Sequence, residues 1–176
     1  MKCHPRRSCW SLGLRVPPET LEKFRNADRL QVDFKGSDGT WLCPTHPDNV
    51  QREIDGMIEL AKAGADGIMI DFFRYPNANY CFCTRCRGLF EKKLGRKVEP
   101  WPQVVRSDPA LAEAWSRFRC DTLSEVFSVV SRKVRAAAPA DRATSTNAGD
   151  GISCHTCGKR PRKDATHLHI PRPADA

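Results

Sequence analysis

The sequence predicts an α/β chain, and three features carry that expectation. An amphipathic helix over residues 45–64 runs into the turn Ala65-Asp66-Gly67. An unbroken apolar run, Ile68-Met69-Ile70, follows at once, and a second long amphipathic helix runs from Asp108 to about Ala137. Helix, turn, buried strand, loop and helix in that order is the pattern of an α/β layer. The 176 residues suit one domain with its own core. They fall short of the roughly 250 that a closed (β/α)8 barrel uses.

Residues 6–14 hold a short apolar run suited to a strand. Pro17-Pro18 opens a short helix, Glu19 to Asn26, and Lys35 to Thr40 reads as a turn by its Gly, Ser and Asp content. In the 45–64 helix, Thr45 is the expected cap, Pro47 fits the first turn and Asp48 faces the positive end of the dipole. Val50, Ile54, Met57, Ile58 and Ala61 share one face, and Gly64 stops the helix. The lack of alternation in Ile68-Met69-Ile70 predicts a strand covered on both faces, as in parallel sheets, with Asp71 ending it. Asp108 caps the second long helix and Pro109 opens it. Its stripe is Leu111, Trp115, Phe118, Thr122, Val126 and Val129, widened by Phe127, Val130 and Val134, and Pro139 ends it. From Asp141 onward no apolar period survives. Residues 1–140 are therefore read as the folded domain and 141–176 as a polar, disordered tail.

No run approaches the roughly 18 apolar residues of a membrane span. The basic N-terminus lacks the apolar stretch of a signal peptide, so a reducing compartment is assumed, where clustered thiols favour metal or free thiol over disulfide. The net charge of +8 is concentrated in residues 81–140, densest from Arg85 to Lys97. Few aromatic residues interleave it and no RNA-binding signature accompanies it. It reads as a solvated helix face, and nucleic acid is not an expected partner. Walker A, GxGxxG and GxSxG patterns are missing from the sequence.

Three constellations could carry chemistry. Asp71, a carboxylate at the C-terminal end of a buried parallel strand, lies where α/β barrels keep catalytic groups. Arg74 and Tyr75 follow in the next loop and could bind a polar substrate. The plainer alternative has Asp71 capping that loop and pairing with Arg74. The second constellation is Cys81-x-Cys83-x-x-Cys86, three thiols within six residues. Structural zinc, disulfides and free thiols are all open, with a fourth zinc ligand to come from Cys43, His46, Cys120 or Cys9. Arg85, Arg87 and Lys92 are expected to lower the thiol pKa values. The third, Cys154-x-x-Cys157 with His155, His167 and His169, looks only superficially like a zinc finger, because His167-x-His169 is too tightly spaced.

Residues 41–76, WLCPTHPDNVQREIDGMIELAKAGADGIMIDFFRYP, resemble the hypothetical glycosyl hydrolase-like families, TIM-barrel proteins related to glycosidases. The family pattern sets a Trp and a Pro ahead of a helix, then a strand of the form D-G-I-x-x-D-[FY]-x-R-Y-P. Here these are Trp41, Pro44, Asp66, Gly67, Ile68, Asp71, Phe72 and Arg74-Tyr75-Pro76. The segment YCFCTRCRGLFEKKLG, residues 80–95, also looks like one found in some members. The likeness spans about residues 8–138 and is specific in 41–95. It implies a partial (β/α)8 TIM-barrel fragment of two or three βα units, with carbohydrate as partner. The implied reaction is hydrolysis of O-glycosyl bonds by two carboxylates, of which Asp71 is one. Trp10, Trp41, Arg74 and Tyr75 become substrate-binding candidates, although core packing is the commoner place for each Trp. The second carboxylate is expected on a later strand. The chain is therefore expected to be an inactive fragment, with open sheet edges prone to self-association. The alternative is a small zinc-stabilised binding module with a basic surface.

Overall fold

The computed structural model describes residues 4–13, 16–137 and 167–169. Its elements are β1 (Arg6–Ser8), α1 (Pro18–Asn26), β2 (Leu30–Val32), β3 (Asp38–Leu42), α2 (Pro47–Lys62), β4 (Gly67–Asp71), α3 (Thr84–Leu94), α4 (Val104–Ser107), α5 (Pro109–Ala137) and β5 (His167–His169). One sheet has the order β1-β4-β5, and β2 and β3 form a separate antiparallel pair. β1 runs parallel to β4, with Arg6 beside Met69 and Ser8 beside Asp71. The described residues thus make a mixed α/β structure with two small sheets and no closed barrel. None of their helices is long and apolar enough to cross a membrane.

Local sequence accounts for the two main helices. Gly64 adopts φ +94°, and its amide and that of Ala65 bond back to Ala61 and Leu60, closing α2. The cap at the other end is His46, not Thr45: its imidazole Nδ1 accepts from the Asp48 amide at 3.2 Å. Asp108 caps α5 as expected, its Oδ1 accepting from Ala110 and Leu111 at 2.8 and 3.2 Å.

Three expectations are corrected. β4 is central in its sheet, but Met69 is 45% exposed, so only the Ile68 and Ile70 side is fully covered. Three consecutive apolar residues are too few to separate a one-sided strand from a two-sided one. The turn expected at 35–40 lies earlier: the Asp33 carboxylate accepts from the Lys35 and Ser37 amides at 2.8 Å, and Asp38 already begins β3. Residues 167–169, placed in the structureless tail, pair antiparallel with β4 from Gly67 to Met69 and cover the edge that β1 leaves open. The rest of that stretch, Cys154, His155 and Cys157 included, lies outside the described residues.

Two cores share α5. The first gathers Trp10, Leu42, Ile54, Met57, Ile68 and Ile70 with Val130 and Val134 from the C-terminal half of α5. The second gathers the thiols Cys43, Cys81, Cys83 and Cys86 with Phe82, Phe90 and, from the N-terminal half of α5, Leu111, Trp115, Phe118 and Leu123. Phe73 packs against both.

Beneath the first core, Glu53 is fully buried and takes the Arg7 guanidinium at 2.9 Å and the more exposed Arg52 at 2.5 Å. A Cβ at Gly56 would run into the Arg7 guanidinium, so the glycine in mid-helix leaves room for this pair. Arg7→Met keeps the apolar stem and removes one of the two charges that satisfy a buried carboxylate. It is expected to cost about 1–3 kcal/mol, read from urea unfolding at constant m-value.

Candidate functional site

Cys43 follows β3 directly, and its position is set by backbone bonds. Its amide donates to the Arg29 carbonyl at 2.8 Å, while the buried Asn49 amide donates to the carbonyls of Cys43 and Arg29, both at 2.9 Å. On the other side, the Phe82 amide donates to the Val32 carbonyl at 2.8 Å, fastening the Cys81–Cys83 segment to β2. Cys83 then caps α3, its sulfur accepting from the Cys86 amide at 3.5 Å. The β2–β3 hairpin therefore holds both halves of one cluster.

The four sulfurs of Cys43, Cys81, Cys83 and Cys86 all lie within 4.8 Å of one another. Cys43 Sγ is 3.6 Å from Cys86 Sγ and 3.7 Å from Cys83 Sγ. A zinc–sulfur bond of about 2.3 Å in a regular tetrahedron gives sulfur–sulfur edges of about 3.8 Å. A disulfide needs about 2.05 Å, and all four cysteines are free thiols here. The spacing is thus that of ligands around one small ion, and these four cysteines could hold a metal. Cys43 supplies the fourth sulfur. Cys9 packs in the other core beside Glu53, and His46 is occupied as the α2 cap.

The electrostatics follow from the sulfurs themselves. The Cys83 thiol is held far below its ordinary value, chiefly because Cys43, then Cys81 and Cys86, hydrogen-bond to it. Burial pushes Cys81 well up. Neighbouring thiols, rather than the expected Arg85, Arg87 and Lys92, are the main cause of the lowering. Thr45, expected as a helix cap, instead sets its hydroxyl 3.1 Å from Cys43 Sγ and 3.5 Å from Cys86 Sγ. Cys43, Cys81 and Cys86 are 0–1% exposed; Cys83, at 9%, borders a cleft of about 570 Å³ that Thr84, Arg85 and Arg25 also line. In the basic stretch, Arg87 and Lys97 both pair with Glu91, at 2.9 and 3.0 Å, and hold its carboxyl down to about 2.

The second grouping stands at the C-terminal end of β4. Asp71 does not pair with Arg74; its carboxylate takes the Arg6 guanidinium at 2.5 Å and accepts from the Phe72 amide at 3.0 Å. Phe72 adopts φ +55°, a conformation costly for a non-glycine residue, and this turns its ring outward at 37% exposure. The Trp41 ring meets it edge-on at 5.5 Å, and the Arg74 guanidinium lies 5.3 Å above Trp41 and 5.7 Å above Phe72. Asp71, Trp41 and Arg74 thus share one accessible end with Phe72, whose outward ring no sequence spacing announces. Trp10 is fully buried, 5.2 Å from the Phe73 ring, and Tyr75 is 2% exposed in the cysteine-containing core. Neither presents a face to solvent.

No protein-family model matches the chain, and no curated protein matches it. Among solved structures, the β-galactosidase from Bacillus circulans sp. alkalophilus is similar in backbone course, with a TM-score of 0.49 and 17% identity over 70% of this chain. The match spans 24% of that enzyme's length. A likeness of that depth assigns neither substrate nor reaction to this chain.

Proposed function

We propose that this chain is a glycoside hydrolase-like α/β unit that meets carbohydrate at the C-terminal end of β4. In this reading a structural zinc ion on Cys43, Cys81, Cys83 and Cys86 holds that end in place. The observation that carries the proposal is the sulfur cluster. It brings Cys81, Cys83 and Cys86, which follow the loop that leaves Asp71, together with Cys43 at the junction between β3 and α2, two residues from Trp41. Four sulfurs fill all four positions of zinc and leave none open to a substrate, so the ion's work is to hold the loop. The carbohydrate half is supported by the glycosyl hydrolase-like motif in residues 41–76 and by the exposed grouping it contains. Trp41 and Phe72 offer rings to the apolar face of a sugar, and Arg74 and Asp71 offer a donor and an acceptor to its hydroxyls.

Hydrolysis needs a second carboxylate across the scissile bond. The charged partner of Asp71 among the described residues is Arg6 and not a second carboxylate, so no turnover is expected from this chain on a panel of aryl-glycosides and oligosaccharides. Weak saccharide binding is expected instead, followed by tryptophan fluorescence or by ligand-observed NMR, and reduced about tenfold in Arg74→Ala, the equivalent of about 1.4 kcal/mol. If no saccharide in the panel binds at about 1 mM, a level worth some 4 kcal/mol, the carbohydrate reading fails. Turnover that vanishes in Asp71→Asn would overturn the expected inactivity and place the chemistry at Asp71.

A further inference from the structure

We infer that Tyr75 belongs to the metal centre, its hydroxyl donating a hydrogen bond to a cysteine sulfur once the ion is bound. The inference rests on the zinc reading above. Tyr75 lies in the loop after β4, inside the arginine-tyrosine-proline motif, where sequence alone directs it at a substrate. The structure buries it to 2% exposure in the core that contains all four thiols. Its hydroxyl oxygen is fully buried and has no hydrogen-bond partner among the described residues. Buried hydroxyls are ordinarily partnered, and one left alone in a native core calls for an explanation.

The surroundings supply one. Tyr75 shares that core with Cys43, Cys81, Cys83 and Cys86. A phenol keeps its proton at neutral pH, so the buried hydroxyl is a donor in search of an acceptor. A neutral thiol is a poor acceptor; a metal-bound thiolate is a good one. Four thiolates around a divalent ion leave a net charge of −2 inside an apolar core, and such centres depend on outer hydrogen bonds. Thr45 Oγ1 already stands 3.1 Å from Cys43 Sγ, and the Cys86 amide 3.5 Å from Cys83 Sγ. Tyr75 adds a further donor within the same core. The Arg119 guanidinium, of a residue itself 3% exposed, lies 4.4 Å above the Tyr75 ring and donates to the Asn77 carbonyl at 2.9 Å. That sets a positive charge over the phenol ring. The orphaned hydroxyl is thus explained as a donor that takes a sulfur partner once the ion is bound.

The test uses the full chain loaded with zinc or cobalt(II). Tyr75→Phe keeps the ring and loses the donor. Zinc affinity, measured by competition with a chromophoric chelator, is expected to fall about tenfold or more, at the low end of outer-shell effects. The sulfur-to-cobalt charge-transfer band is expected to shift in the same variant. The metal-free variant should melt no earlier than metal-free wild type, because in that state the hydroxyl has no partner to lose. Equal zinc affinity together with an unchanged cobalt spectrum would overturn the role of Tyr75 while leaving the four-cysteine centre intact. Wild-type protein that takes up neither ion would overturn the centre itself. Should Tyr75→Phe fail to fold, a second measurement decides. The chain has two tyrosines, so Tyr80→Phe protein grown with 3-fluorotyrosine carries one fluorine reporter, at Tyr75. Its ¹⁹F resonance is expected to move on zinc addition, and a resonance that stays put would count against the donor role.

Discussion

Cys43→Ser should release the metal and lower the melting temperature by about 8–16 °C. Free zinc at a thousandfold excess over its dissociation constant stabilises a protein by about 4 kcal/mol. For a chain of this size each kcal/mol moves the midpoint by about 2–4 °C. Cys43 is the ligand to remove because the other three lie on one short stretch, whereas Cys43 alone brings in the hairpin. Elemental analysis of protein purified without chelator should give one zinc per wild-type chain and far less in the variant. Adding a strong chelator to wild type should reproduce the drop, and should leave Cys43→Ser unchanged. Because protons compete with zinc for thiolates, release should need less chelator as the pH falls. Metal-free wild type with the same midpoint as the zinc-loaded protein would show that the ion does no structural work.

Trp115→Ala should cost about 3–5 kcal/mol, the range for deleting a large aromatic side chain from a packed core. Trp115 is 4% exposed and is the hub of the second core. Its ring centroid lies 4.9 Å from Phe90, 5.2 Å from Phe82, 5.2 Å from Phe118 and 5.3 Å from Trp101. Removing it strips four rings of a shared contact, and they cannot all close on the gap at once. Trp115→Phe keeps a ring in place and should recover much of the loss. Urea unfolding followed by circular dichroism measures both variants. A cost under about 1 kcal/mol for Trp115→Ala would mean that the core is loose enough to refill, unlike ordinary close-packed interiors.

What could be read from the sequence was local. The two long helices declare themselves through stripes that repeat within one chain segment, and β4 through its place between a stopped helix and a loop. Cys81, Cys83 and Cys86 declare themselves by spacing. Cys43 was one of four candidates for the remaining ligand, because only the pairing of β2 with β3 selects it. Those strands are three and five residues long, and β2 buries the polar Gln31, whose amide donates to the Leu42 carbonyl at 3.0 Å. Such strands carry almost no periodic signal. The motif after β4 reads as a run of substrate-facing residues, and the structure divides it. Arg74 stays outside with Phe72 and Tyr75 turns in. A chain that leaves its strand through a positive φ no longer alternates its side chains as a strand does, so facing cannot be counted forward from Asp71.

The spacing of the four thiols along the chain also bears on how the molecule reaches its final shape. Three of them fall between residues 81 and 86, close enough to capture an ion before any tertiary structure exists, whereas Cys43 is far upstream. An ion held by the nearer three still has a vacant position, and the upstream thiol fills it only when a loop of several dozen residues closes. The entropy of closing such a loop grows slowly with its length, by about 0.6 kcal/mol for each doubling. The fourth metal–sulfur bond is formed in the same event. The loop that closes contains α2 and β4, so the ion gathered by a short peptide becomes a latch on the central strand. Metal capture would then come early and the latch late, making zinc a participant in folding and not only a part of the finished structure.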